Sequence, residues 1–279
     1  MRASHSRVFV ETDCRFRFQF GRVRMLEARQ LTKYYGAARA VADISFCIQP
    51  GEVLGCLGPN GSGKSTTVKM LASLLEPTHG EVLYGGTRIR DNLAGYKKLV
   101  GYVPEEPNLY PYLSGLEYLQ LVGNLREIEA KALRKKIDTL LNLFSLNVQR
   151  HSTLGSYSKG MRQKILIIAA LLHDPDILIF DEPLSGLDVT SALIFRHLVQ
   201  ERARSGKTIL YSSHVLEAVE KVCSRVMIIY HGRLIADNSV ERLRQIMAAP
   251  SLEQVFAELV QQTDTATVAR EMIEAMKQK

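Results

Sequence analysis

A glycine-rich run between a predicted strand and a predicted helix has the most specific chemical pattern in the sequence. Residues 58–65 read Gly-Pro-Asn-Gly-Ser-Gly-Lys-Ser, which matches the spacing G-x-x-x-x-G-K-[ST]. The glycines allow a tight turn whose backbone N–H groups point inward, and the helix that follows contributes its N-terminal dipole. Such a turn can cradle the β- and γ-phosphates of a nucleotide, so the run predicts a nucleoside triphosphate site.

Two side chains of this run are expected to act directly on phosphate and metal. Lys64 would neutralise phosphate oxygens, and the Ser65 hydroxyl would bind Mg²⁺. A chance glycine-rich turn is the alternative, but the Lys-Ser pair and the flanking strand and helix favour function. The candidate nucleotide contacts are Gly58, Pro59, Asn60, Gly61, Ser62, Gly63, Lys64, Ser65 and Thr66.

Two adjacent carboxylates follow a second buried strand. The apolar run 177–180 ends in Asp181 and Glu182, and open α/β sheets bind ligands at the carboxyl ends of their strands. Asp181 is a candidate Mg²⁺ ligand, and Glu182, pointing the opposite way, is a candidate base for the water that attacks the γ-phosphate. Alone, the doublet could equally be a solvated turn before Pro183; behind a phosphate loop it is the expected metal-binding partner.

The elements that must position these residues alternate between strand and helix, which predicts an α/β fold. A helical subdomain is expected at about 105–160, because that interval contains an amphipathic stretch at 128–144. The predicted strands include 53–57, 80–89, 99–103, 177–180 and 208–211. The predicted divisions are a basic, disordered leader at 1–24, a nucleotide-binding domain at 25–238 and a C-terminal helical extension at 239–279.

The basic charge of the chain is concentrated at its start. The 279 residues carry a formal net charge of +7, yet six arginines and two acids in 1–24 leave only +3 from Met25 onward. The leader is interpreted as a segment translated upstream of a start at Met25, or else as a basic arm for nucleic acid or anionic lipid. The four cysteines form no metal-binding pattern, and no apolar run reaches the ~18 residues of a membrane-spanning helix.

With these features in place, residues 25–240 resemble the ATP-binding subunits of ABC transporters. Residues 157–163 read Tyr-Ser-Lys-Gly-Met-Arg-Gln, which is similar to that family's signature stretch, usually Leu-Ser-Gly-Gly-Gln. The resemblance implies an α/β P-loop NTPase of ABC type, with a mixed sheet core, an antiparallel β-subdomain and an inserted helical subdomain. The signature residues that would close over the γ-phosphate bound by the opposite subunit are Ser158, Lys159, Gly160 and Met161. The serine is equally suited to cap the helix that follows.

Four further positions match motifs of the same family. Tyr35 resembles the aromatic residue that stacks on adenine, and Asp188 lies in a run that resembles the loop through which the two subunits touch. His214 resembles the switch histidine that contacts the γ-phosphate. Glu105 stands where the family usually has Gln; its carboxylate can still reach Mg²⁺ but donates no hydrogen bond and adds negative charge near the phosphates.

The resemblance implies an ATP-hydrolysing motor with ATP and Mg²⁺ as ligands. Two copies, or this subunit and a related one, would sandwich two nucleotides, with Glu182 as the base and His214 on the γ-phosphate. The further partner would be a polytopic permease docked around 105–125, at the cytoplasmic face of the membrane. The run at 251–256 is similar to the corresponding run in one branch of this family, whose members export drugs, ions, lipids or peptides.

Two other classes of protein stay open at this point. A non-transport ABC ATPase acting on nucleic acid or ribosomes would suit the net charge of +7, but the single phosphate loop and the lack of sustained heptads speak against it, and no nucleic-acid partner is expected. A P-loop switch or kinase without the ABC dimer is disfavoured by Ser158, Asp188 and His214.

Overall fold

The structure, a computed structural model, describes residues 24–260 together with Met272 and Met276. The predicted leader, apart from Arg24, and most of the extension beyond 260 lie outside the described residues. The strands are β1 Leu26–Tyr35, β2 Ala38–Ile48, β3 Val53–Leu57, β4 His79–Tyr84, β5 Thr87–Arg88, β6 Val100–Val103, β7 Ile177–Asp181, β8 Thr208–Ser212, β9 Arg225–Tyr230 and β10 Arg233–Ser239. The helices are α1 Lys64–Leu71, α2 Leu93–Leu99, α3 Gly115–Leu125, α4 Ala130–Leu143, α5 Lys159–Leu171, α6 Val189–Arg204, α7 Leu216–Val222, α8 Val240–Ile246 and α9 Leu252–Val260.

A six-stranded sheet in the order β10-β9-β3-β8-β7-β6 forms the centre of the fold. The neighbours from β9 to β6 pair in parallel, and β10 pairs antiparallel with β9. Every residue of β3, β7 and β8 is buried, as parallel strands covered on both faces require. Ser212 lies opposite both Asp181 and Cys56, so the carboxyl ends of these three strands meet at one edge.

A four-stranded antiparallel sheet in the order β2-β1-β4-β5 packs beside this core. Its buried residues, such as Leu26 and Phe46, share one apolar cluster with Leu71 of α1 and Leu54 of β3. The central mixed sheet and this antiparallel subdomain confirm the expected fold.

The segment between β4 and β6 differs from the sequence prediction of one strand over 80–89. β4 ends at Tyr84, and a Gly-Gly turn with φ of 57° and 79° follows. The unpredicted helix α2 then begins after Asn92, whose side chain accepts a hydrogen bond from the Gly95 N–H at 2.9 Å. A seven-residue helix in which Tyr96 alone is buried is too short to show a helical period in the sequence.

Helices α3, α4 and α5 pack on one another beside β6. The amphipathic stretch predicted at 128–144 forms α4, which buries Leu133, Ile137 and Leu141. α3 begins with a reciprocal capping box, in which Ser114 accepts from the backbone of Glu117 and the Glu117 side chain accepts from the backbone of Ser114.

The described part of the C-terminal extension is helical and packs on the core. α9 contacts α7 and α8, and its Leu252 and Val255 are fully buried. Within residues 24–260 no helix combines the length and apolar character that crossing a bilayer requires.

Candidate nucleotide site

The glycine-rich run forms a loop between β3 and α1. Neighbouring backbone atoms lie so close to this loop that two of its positions have room only for glycine. A Cβ added at Gly58 would lie 2.2 Å from the Ile229 carbonyl oxygen, and one at Gly63 would lie 2.6 Å from the Ala40 carbonyl oxygen. Gly63 also has a φ of 106°, which L side chains rarely adopt. The loop is therefore wedged between β9 and β2, and larger residues at these two positions would displace it.

The two polar side chains at the centre of the loop are buried and aimed within it. The Lys64 ammonium donates to the carbonyl oxygens of Gly58 at 2.7 Å and Pro59 at 3.1 Å. The Ser62 hydroxyl is buried and has no hydrogen-bond partner among the residues that the structure describes, although buried hydroxyls are normally bonded. A buried cation and an unpaired donor in one turn are the groups that an anionic phosphate would satisfy, so this loop fits ATP.

A cavity of about 440 Å³ opens in front of the loop. It brings the loop together with carboxylates that lie 40 to 120 residues further along the chain. Its lining residues are Ala40, Asn60, Gly61, Gly63, Lys64, Ser65, Thr66, Glu105, Asp181 and Glu182. Most of the predicted phosphate and metal contacts therefore share one cavity, because β3, β7 and β6 end at the same edge of the sheet.

Asp181 lies in the wall of this cavity and is only 2% exposed. Burial, together with the negative charges of Glu105 and Glu182, raises the pKa of its carboxyl group to about 6. The Ser65 hydroxyl and the Asp181 and Glu105 carboxylates are an all-oxygen donor set, which fits Mg²⁺. Within the described residues no three His, Cys, Asp or Glu side chains converge on one point, so such an ion would also depend on phosphate oxygens of the nucleotide.

Glu182 is held by the segment that follows β8. Its carboxylate accepts hydrogen bonds from the Ser213 hydroxyl at 3.1 Å and from the His214 backbone N–H at 2.7 Å. The His214 Nδ1 atom lies 2.7 Å from the same Glu182 oxygen, Oε1. The two residues that the sequence assigns to catalysis are therefore bonded to each other.

The backbone of Glu182 has a φ of 49°, an uncommon conformation for a residue with a side chain. Such strain costs on the order of 1 kcal/mol and is characteristic of functional sites. Ser213, which was not predicted as a site residue, also binds the Glu182 carboxylate. The sequence signal for it was the serine pair 212–213, which directly follows the apolar residues of β8.

Tyr35 lies at the end of β1, in the hairpin with β2, and is 51% exposed. The Lys33 ammonium sits 5.8 Å from the centre of its ring. Ala40, further along the same hairpin, lines the cavity, whereas Tyr35 is outside the lining set.

The signature stretch lies away from the cavity of its own chain. Ser158 caps α5 by accepting from the Met161 N–H at 3.2 Å, and both Ser158 and Lys159 are exposed. A Cβ at Gly160 would lie 2.2 Å from the Gly186 carbonyl oxygen, so the glycine serves a close approach to the loop 185–188 of the same chain.

Asp188 ends that loop and caps α6. Its carboxylate accepts from the Ser191 N–H at 2.8 Å and pairs with the Lys164 ammonium at 2.9 Å. The hydrogen bonds from Ser191 and the contact with Lys164 lower the pKa of Asp188. Lys164 and the buried Gln163, which donates to the Pro183 carbonyl oxygen at 3.1 Å, thus join α5 to the segment after Glu182.

Comparisons with known sequences find a family and relatives that cover most of the chain. The family described as ABC transporter matches residues 41–185. The chain is 38% identical over 246 residues to the ABC transporter ATP-binding protein NatA of Bacillus subtilis, a match covering 88% of this chain and 95% of NatA. It is 34% identical over 255 residues to the Nod factor export ATP-binding protein I of Cupriavidus metallidurans, covering 90% of this chain and 83% of that protein.

Solved structures show the same arrangement of elements. The structure of an ATP-binding subunit of an ABC transporter superposes with a TM-score of 0.79 at 32% identity, covering 84% of this chain and 99% of that chain. A dimeric ATP-binding cassette in a post-hydrolysis state, bound to ADP and phosphate, superposes with a TM-score of 0.70 at 24% identity, covering 77% and 98%. At 24% identity, this second similarity supports a shared fold and nothing more.

Proposed function

The chain belongs to the ABC transporter family, and we propose that it is the ATP-hydrolysing subunit of an exporter with a separate membrane permease. ATP binding and hydrolysis are the activities of this family of subunits. Export is proposed because one of the relatives is named for the export of Nod factor. All the relatives named above are ATP-binding subunits of transporters, so the alternative of a nucleic-acid or ribosome ATPase is not favoured.

The observation that carries the proposal is the bonded pair of Glu182 and His214 at the edge of the Lys64 cavity. Lys64 would neutralise the phosphates of bound ATP, and Glu182 would accept the proton of the attacking water. His214 would hold the γ-phosphate. In this structure the His214 Nδ1 atom is in contact with the Oε1 atom of Glu182. The His214 ring must therefore turn away before Glu182 can bind the water and His214 can reach the γ-phosphate.

Mg²⁺ would be held by Ser65 and Asp181, with Glu105 at the same cavity. The bound ion would supply neutralisation of the negative charge that develops on the phosphate oxygens. Glu105 then has two opposite effects, since it adds an oxygen ligand for the cation and a negative charge beside the phosphates.

A second subunit would complete the site. Ser158 and Lys159 are exposed and lie outside the lining of their own cavity, which suits a signature stretch that acts on nucleotide bound to another subunit. The following helix α5 offers its N-terminal dipole to that nucleotide. Asp188, whose loop touches Gly160, would lie at the same subunit boundary.

The permease would dock in an apolar groove of about 560 Å³ between α2, α3 and α5. Its rim carries Leu74 and Leu125, which are 58% and 74% exposed. Lys97, Lys98 and Arg126 add positive charge at the groove. This groove overlaps the stretch 105–125 that the sequence assigns to docking, and an occupied groove would place the chain at the cytoplasmic face of the membrane.

The replacement Glu182→Gln tests the proposal. Glutamine keeps an oxygen that can accept from His214 but cannot take a proton from water, so ATPase turnover is expected to fall roughly 10²- to 10⁴-fold. The dissociation constant of ATP, measured by calorimetry, should stay at the wild-type value. Glu201→Gln, at an exposed position on α6, is the matched control and should retain full turnover. Normal hydrolysis by Glu182→Gln would remove Glu182 from its proposed role.

A further inference from the structure

A second cavity of about 300 Å³ adjoins the nucleotide cavity behind the switch histidine. The two cavities share Asn60 and Glu105 in their walls. The second one is lined by Leu57, Gly58, Pro59, Asn60, Glu105, Ser213, His214, Leu216 and Phe256. Phe256 is the member of this set that comes from the C-terminal helix α9, which lies beyond the part of the chain matched by the family.

Phe256 is anchored by the buried face of α9. Leu252 and Val255 on that helix are fully buried, and Phe256 packs half-buried against the same apolar core. Positions 252, 255 and 256 share one helical face. The aromatic ring is therefore held at the cavity by a helix that is itself fixed to α7 and α8.

The segment that carries His214 also borders the second cavity. α7 begins two residues after His214 and has no side-chain cap at its N-terminus, where Val215 is the capping residue. Leu216, the first residue of α7, lines the second cavity together with Phe256. Contacts with Glu182 hold the segment on one side, and the apolar surface supplied by α9 bounds it on the other.

The proposed chemistry requires His214 to leave the Glu182 oxygen, and the second cavity adjoins its ring. The His214 side chain is 69% exposed, so its ring can turn without displacing a buried neighbour, and the cavity of about 300 Å³ lies beside it. Phe256 forms part of the wall of this space.

We propose that Phe256 of α9 is a positioning residue for the switch histidine, and that through it the C-terminal helix sets the turnover of ATP. The inference rests on the proposed roles of Glu182 and His214. Phe256 acts through His214 and Leu216, so its removal should slow hydrolysis without weakening the phosphate contacts made by Lys64. Small displacements of a catalytic group commonly reduce rates by one to two orders of magnitude.

The first experiment compares Phe256→Ala with Leu259→Ala in the full chain. Leu259 is a partly buried residue of the same helix that packs on the same core but does not line the second cavity. Phe256→Ala is expected to lower kcat roughly 10-fold while the calorimetric dissociation constant of ATP stays unchanged, and Leu259→Ala should keep the wild-type kcat. Phe256→Leu, which retains most of the apolar volume, should restore most of the rate. Equal losses of kcat in Phe256→Ala and Leu259→Ala would reduce Phe256 to a packing residue.

The second experiment repeats the change in a His214→Ala background. If Phe256 acts through His214, Phe256→Ala should cause no further loss of kcat there. The same fold loss in both backgrounds overturns the inference. If the Phe256→Ala variant does not fold, Phe256→Val replaces it in both backgrounds, because this change removes less buried apolar surface. Full turnover by His214→Ala itself would instead contradict the proposed role of His214. The experiment therefore distinguishes a failure of the proposed function from a failure of the inference about Phe256.

Discussion

Asp181 and Glu182 are adjacent in the chain, yet their surroundings differ in the way that their proposed roles require. Asp181 is buried at the end of β7, and the pKa of its carboxyl group is raised to about 6. Glu182 has turned into a left-handed conformation and accepts hydrogen bonds from Ser213 and His214. One carboxylate is thus placed for the proposed cation, and the other is held beside the residue proposed to act with it in catalysis.

The raised pKa of Asp181 predicts a gain in stability when its charge is removed. The ordinary value of 3.8 applies in the unfolded chain, so the folded chain binds this proton more tightly and loses stability as the pH rises from about 4 to 6. In nucleotide-free protein at pH 7.5, Asp181→Asn should raise the free energy of unfolding by at most about 3 kcal/mol. At pH 4 the change should nearly vanish.

Urea unfolding at the two pH values measures this effect. Asp91→Asn, at an exposed position, is the control and should change stability little at either pH. A lower stability of Asp181→Asn at pH 7.5 would mean that the carboxylate stabilises the folded chain. The variant should nevertheless lose ATPase activity, because the carboxylate is proposed to bind Mg²⁺.

Residue-scale chemistry could be predicted where the pattern is local. The phosphate loop is recognisable because eight successive residues build it, and the acidic doublet because it follows an apolar strand. The bond between Glu182 and His214 joins positions 32 residues apart and depends on the register that sets Asp181 opposite Ser212. No spacing in the sequence encodes that register, so Ser213 and the pairing of the two residues emerged from the structure.

At the scale of elements, hydrogen bonds that tie the end of α3 to the edge strand β6 shape the proposed docking groove. Arg126, just after α3, donates to the carbonyl oxygens of Lys97 and Val100. His173 also lies 3.1 Å from the Val100 oxygen, and burial lowers its pKa to about 4. A neutral imidazole and a guanidinium therefore meet at the Val100 carbonyl oxygen, at the start of the strand that leads to Glu105.

Docking in this groove predicts a sharp difference between two exposed leucines. Leu125 lines the groove and is 74% exposed, whereas Leu143 on α4 is 63% exposed and lies outside its lining. Leu125→Asp should abolish co-purification with the permease and leave the ATPase activity of the isolated subunit intact, because a buried charge in an apolar interface is strongly unfavourable. Leu143→Asp should co-purify as the wild type does. Equal retention of the permease by both variants would place docking elsewhere.

Elements were predictable in proportion to their length and period. The amphipathic helix α4 could be predicted from apolar residues at helical spacing. The strands β3, β7 and β8 could be predicted from continuous apolar runs. α2 has seven residues and buries only Tyr96, so no period distinguishes it from the strand ends around it. The packing of α9 against α7, and hence the place of Phe256, is a tertiary contact that local patterns do not contain.

At the scale of the whole molecule, the two groups of residues proposed to form one composite site are separate on a single chain. The Lys64 cavity contains the phosphate loop and the carboxylates, while Ser158 is exposed elsewhere on the same subunit. A net charge of +7 would suit a nucleic-acid partner, but most of the excess lies in residues 1–24, of which the structure describes Arg24 alone. The phosphate loop offers a more specific anion site, and we propose that a second subunit completes it.

We propose that ATP bound at Lys64 joins two subunits through the Ser158 stretch. Light scattering of Glu182→Gln tests it most directly, because blocked hydrolysis should preserve the closed pair. With ATP, Glu182→Gln should have the mass of two chains. It should have the mass of one chain without ATP, or when combined with Lys64→Ala or Ser158→Arg. A single-chain mass for Glu182→Gln with ATP bound, or a pair that Ser158→Arg leaves intact, would contradict the claim.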